Sequence, residues 1–188
     1  MSAVALLRYL MDEAFDGRGI EASNEAQSLM ANLATVEPGH WQVRLPGSVR
    51  TIGSIAVHVG SCKVMYADHA FAAGRLTWDS PEVAPWPEFE APLAGTLDWL
   101  RSSHEALMRH VEALTDDDLE QPRNANWGEA RETRWLLSTL LQHDAYHAGE
   151  INRMRALLAG EDRWQWQISL GVDPLPALAT AVGPEDAR

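Results

Sequence analysis

The chain has 188 residues, 46% of them hydrophobic, which suits a single domain with a sizeable core. Its net charge of −12, from 15 basic and 27 acidic residues, argues against binding a nucleic-acid backbone or an anionic lipid face, which needs clustered Lys and Arg. One cysteine, Cys62, rules out an internal disulfide and a zinc site built on several thiolates, and no apolar run reaches membrane-span length.

The first segment, Ala3 to Phe15, places Leu6, Leu7, Leu10, Met11 and Ala14 at helical spacing. Arg8, Asp12 and Glu13 interrupt its apolar pattern, unlike the centre of a secretory signal, so a cytoplasmic protein is expected. Asp16-Gly17-Arg18-Gly19 breaks the pattern, and Ser23 to Val36 resumes it with Ala26, Leu29, Met30 and Leu33. Residues 39–49 read as a loop. Thr51 to Ala73 is predicted as the next helix from Ile52, Ile55, Val59, Cys62, Tyr66 and Ala70, with Gly60 a candidate for close helix approach. Four prolines between Arg75 and Pro92 forbid a continuous helix and mark a long crossing connection.

Leu93 to Leu114 carries a stripe of Leu93, Leu97, Leu100, His104, Leu107, Val111 and Leu114. Residues 115–130 read as a second polar connection. Thr133 to Ala159 is the longest predicted helix, stopped by Gly160. Beyond it, Trp164-Gln165-Trp166-Gln167-Ile168 alternates like a strand, without an evident partner. Four or five amphipathic helices and no convincing sheet predict an all-α helical bundle over residues 1–160, with residues 161–188 as a C-terminal extension.

The chemistry-bearing pattern is His143-Asp144-Ala145-Tyr146-His147 in the last helix. Residues four apart share a helical face, so two imidazoles there can reach one metal ion from a rigid backbone. With seven histidines in the chain the spacing alone carries little weight, and a third ligand is needed. The residues themselves leave His40, His58, His69, His104 and His110 as candidates. His58 and His69 lie on nearly the same face but roughly 16 Å apart along the axis, too far to share an ion.

A Gly-Ser-Ile-x-x-His pattern ending at His58, a Pro- and Trp-containing crossover, and His143-Asp144-Ala145-Tyr146-His147-Ala148-Gly149-Glu150-Ile151 together resemble the DinB-like, damage-inducible superfamily, related to bacterial thiol-dependent S-transferases. The likeness runs from about Leu6 to Leu158. It implies a four-helix bundle with long crossover connections, often a homodimer. It also implies a divalent metal, zinc or nickel foremost and iron or manganese as alternatives, held by His58, His143 and His147. Three imidazoles leave a coordination position open for a low-molecular-weight thiol or for water. The expected function is therefore a metal-dependent S-transferase or hydrolase acting on a small molecule; the alternative is a non-catalytic metal-binding stress-response or sensor protein.

Four further residues are candidates for a pocket or supporting role. Cys62, one turn from His58, is either a small core residue or a neighbour of the site. His104 is either a core histidine or a base reaching in from the third long helix. Asp144 sits about 100° round the helix from His143, which suits a solvated or interface charge as much as a site residue. Tyr146 either hydrogen-bonds in the pocket or packs in the core. Glu150 reads as a salt-bridge residue. Trp41, Trp86 and Trp127 fall in connections, where they either line a pocket mouth or pack the loops down.

Overall fold

The computed structural model describes residues 2–17, 28–87 and 89–161. Helix α1 (Ala3–Phe15) opens at Ser2, whose hydroxyl accepts from the Ala5 amide at 3.1 Å. Helix α2 is short, Leu29–Ala34, and is capped by Ser28; the part of the predicted 23–36 helix before Ser28 lies outside the described residues. Helix α3 (Ile52–Phe71) begins with a reciprocal capping box between Thr51 and Ser54. Helix α4 (Leu93–Glu112) follows Pro92, and α5 (Thr133–Ala159) ends where Gly160 turns left-handed at φ 71°. These boundaries match the periodicity closely, and the predicted all-α bundle is the observed architecture.

The long helices α1, α3, α4 and α5 form the bundle. Helix α3 packs on α4 and α5, α1 packs on the same two neighbours, and α2 lies against α5. Two apolar clusters fill the interior. One joins Phe15, Leu33, Ile52, Ile55, Val59, Leu100, Ala148 and Ile151. The other joins Met11, Tyr66, Leu107, Val111, Leu136, Leu137 and Leu140. The N-terminal half of α3 thus meets the C-terminal half of α5, and the two helices run antiparallel. Gly60 is the close-approach residue on α3: a Cβ there would stand 2.2 Å from Trp99 Cζ3 of α4.

The connection at 115–130 is more ordered than its polar composition suggested. A 3-10 turn, Asp116–Glu120, leads into an antiparallel hairpin of β1 (Pro122–Asn124) and β2 (Ala130–Glu132), paired Pro122 to Glu132 and Asn124 to Ala130. Three-residue strands are too short to carry a readable alternation, so the reading without a sheet missed them. The extension, including Trp164 to Ile168, lies outside the described residues.

The crossover from α3 to α4 is fastened along its length. The Asp68 carboxylate accepts from the Arg75 and Leu76 amides at 2.6 and 2.8 Å. The Ser61 hydroxyl reaches the Val83 carbonyl at 2.6 Å. Further on, the buried Trp41 indole donates to the Ala91 carbonyl at 2.8 Å, tying the 39–49 loop to the end of the crossover. Both connections are thereby held against the N-terminal half of α3, beside His58.

Candidate metal centre

Helices α3 and α5 bring His58, His143 and His147 together. One ring nitrogen from each lies within 4.8 Å of the other two, and His58 Nε2 stands 3.2 Å from His143 Nε2. The ring planes cross at 56° to 80°, so the three imidazoles converge edge-on rather than stacking. His147 is buried, while His58 and His143 are half-buried at the rim. The remaining candidates lie elsewhere. His69 faces the Leu76 carbonyl at 2.9 Å, His110 stacks on Phe71, and His40 sits 3.9 Å from Glu37.

The protonation states suit a cation. Burial first, and then the neighbouring His147, lower the His58 pKa from 6.5 to about 4. Burial, with His147 and His58 adding, lowers that of His143 to about 3. Both rings are therefore neutral at pH 7, the form that binds metal. His147 Nδ1 lies 2.7 Å from Glu150 Oε2; a carboxylate only accepts, so Nδ1 carries a proton and Nε2 is the nitrogen this ring can offer to a metal. On this donor set the residues fit a divalent ion.

Cys62 Sγ lies 3.9 Å from each ring nitrogen of His58, and burial pushes its thiol up to about 11. It is a protonated neighbour of the site. Asp144 is not a solvated or interface charge: it is fully buried and receives a hydrogen bond from the equally buried Lys63 ammonium at 2.5 Å. Along both helices this pair falls between residues of the two apolar clusters. Tyr146 is 70% exposed, so it neither packs in the core nor lines the interior, although its ring edges against His147 at 5.0 Å.

His104 belongs to a different place. It stacks on Phe15 at 3.8 Å and contacts Asp12 at 3.3 Å, in a cleft between α1 and α4 that the triad does not share. Of the three loop tryptophans, Trp86 lines a cavity beside His58, Trp41 is buried, and Trp127 packs on Tyr66 and Trp135.

That cavity, of about 340 Å³, opens against His58. Val57, Ala84, Trp86, Pro87 and Phe89 form its apolar wall, and Gln42, Arg50 and Ser54 supply polar groups. The DinB superfamily model fits residues 21–151, well over half of the chain, and that span holds all three histidines. The chain belongs to the DinB superfamily. No curated protein matches the sequence. Among the described residues of this DinB-superfamily chain, no helix is long and apolar enough to cross a membrane.

Glu150, read as a salt-bridge residue, pairs with His147 one turn before it. Sequence reasoning missed two residues near the site: Lys63, hidden in the apolar stripe of α3, and Arg50, in a loop of no evident pattern.

Proposed function

We propose that His58, His143 and His147 bind one divalent metal, zinc or nickel, and that the site is catalytic, activating a low-molecular-weight thiol in an S-transferase or water in a hydrolase. The observation that carries this reading is the convergence of three imidazole nitrogens within 4.8 Å of one another, at the edge of a cavity. A metal held by three neutral ligands acts as a Lewis acid, lowering the pKa of a thiol or water in its open position. The chain's own part is to keep His58 and His143 unprotonated by burial, to orient His147 through Glu150, and to seat a small molecule in the cavity walled by Trp86 and Phe89. A built cavity next to the ligands favours turnover over a purely sensing or storage role.

The test is elemental analysis of untagged protein, followed by thiol-transfer and hydrolysis assays on the metal-loaded chain. One metal per chain, lost in His143→Ala and His147→Ala with helicity retained, is the expected result. Full metal occupancy in both variants overturns the ligand assignment. Metal binding without either activity returns the protein to the sensing role. The same reading includes a cytoplasmic homodimer, checked by light scattering at micromolar concentration.

A further inference from the structure

Five basic side chains among the described residues are buried or half-buried, and four of them have acceptors. Lys63 meets Asp144, Arg101 meets Asp16, Arg123 meets Thr133, and Arg155 meets Asn152. Arg50 is the fifth. Its backbone is fixed by Ser48, whose hydroxyl accepts from the Arg50 amide at 3.1 Å and donates to the Arg50 carbonyl at 2.8 Å. Its guanidinium has no acceptor among the described residues, in a chain of net charge −12 where carboxylates outnumber bases. A half-buried cation left unpaired against that background calls for an anion from outside.

The surroundings say where the anion would sit. Arg50 lines the same cavity as His58, and its charge is felt by both His58 and His143. The other polar lining groups are already used. Gln42 accepts from the Thr51 hydroxyl at 2.9 Å and donates to the Ala91 carbonyl at 3.1 Å, and Ser54 is spent in the capping box with Thr51. Trp86, Pro87 and Phe89 give the same cavity its aromatic and apolar lining. Phe89 adopts a left-handed φ of 64°, unusual for an aromatic residue, and Arg44 covers its ring at 4.7 Å.

We infer that the site takes a small organic anion, with a carboxylate or phosphate on the Arg50 guanidinium, an aromatic or apolar body against Trp86 and Phe89, and its reacting end toward the histidine cluster. This rests on the proposed function for the last element only; the anion and body subsites stand on Arg50 and the cavity wall. A guanidinium offers two parallel N–H donors to either kind of anion, so both are covered by one geometry.

The test is calorimetric titration of the full-length chain, zinc-loaded and after chelation, with 3-phenylpropionate, phenyl phosphate and neutral 3-phenylpropionamide. One or both anions should bind roughly tenfold or more tighter than the amide, as expected for a charge-assisted hydrogen bond. That preference should persist without metal, vanish in Arg50→Gln, and be partly kept in Arg50→Lys. Circular dichroism and zinc content should match the wild type in both variants. The two anions identify the head group by which binds more tightly. An anion preference that survives Arg50→Gln, or is present only with zinc, overturns the inference, as does no anion binding at millimolar concentration. A chain that binds no zinc but shows the Arg50-dependent preference refutes the metal reading alone.

Discussion

His58 and His143 enter the fold as neutral imidazoles, and that fixes a pH response of the metal-free chain. Their pKa values fall from 6.5 to about 4 and about 3 in the folded state, chiefly through burial. The unfolded chain takes up protons on these groups near 6.5, while the folded chain resists them. Their stabilising contribution is therefore fully present above pH 6.5 and is lost as pH falls through about 4 and 3. Urea midpoints of the metal-free chain between pH 7 and 4 should fall less steeply in the His58→Gln/His143→Gln double variant; equal slopes would show that burial does not hold these rings neutral. Glu150 is the second residue with a sharp expectation. Because it fixes the His147 proton on Nδ1, Glu150→Ala should weaken metal binding by about 10- to 100-fold with little change in fold, measured by competition with a chromogenic chelator. The i,i+4 spacing made the His143–His147 pair legible as a candidate, though it carried little weight without a third ligand. His58 was not: periodicity left it among five histidines, and only the family resemblance singled it out. Arg50 and Asp144 were illegible for a common reason. Their meaning depends on what another segment does or does not place opposite them.

At the scale of elements, Lys63 and Asp144 join α3 to α5 between the two apolar clusters, with the Lys63 ammonium 5.0 Å from the centre of the Phe15 ring. Removing one partner leaves a buried, unpaired charge, so Lys63→Met should destabilise the fold by about 3–5 kcal/mol, while Lys63→Met/Asp144→Leu should recover most of that. Chemical denaturation of both variants checks the difference; equal losses would mean that the pair is not the unit. Gly60→Ala tests the α3–α4 approach. Alanine favours a helix by about 1 kcal/mol over glycine, but its Cβ would overlap the Trp99 ring at 2.2 Å. The overlap should win, with a net loss of roughly 1–3 kcal/mol. Trp99 also meets Trp86 edge-on at 5.6 Å, so the displaced ring should disturb the cavity wall and shift tryptophan fluorescence. The long helices were readable because an apolar stripe repeated over twenty or more residues has no competing interpretation. The hairpin at Pro122–Glu132 was not, since its pairing is set by the Ala125–Gly128 turn rather than by side-chain alternation.

Across the whole molecule, His58 stands 85 residues before His143 in the chain, and the two meet only after α3 and α5 have docked. An ion gripped from both helices would be a removable cross-link closing that long loop. In the unfolded chain only the His143–His147 pair could hold it, and weakly, because the helix that aligns them is gone. The ion would then act on lifetime more than on folding speed. If docking of the two helices is late, metal leaves the folding rate unchanged and slows unfolding, since the clasp must open before the helices can part. A cell that withdraws the metal would shorten the protein's persistence against proteases without altering a single apolar contact, and the abundance of the chain would follow the supply of the ion.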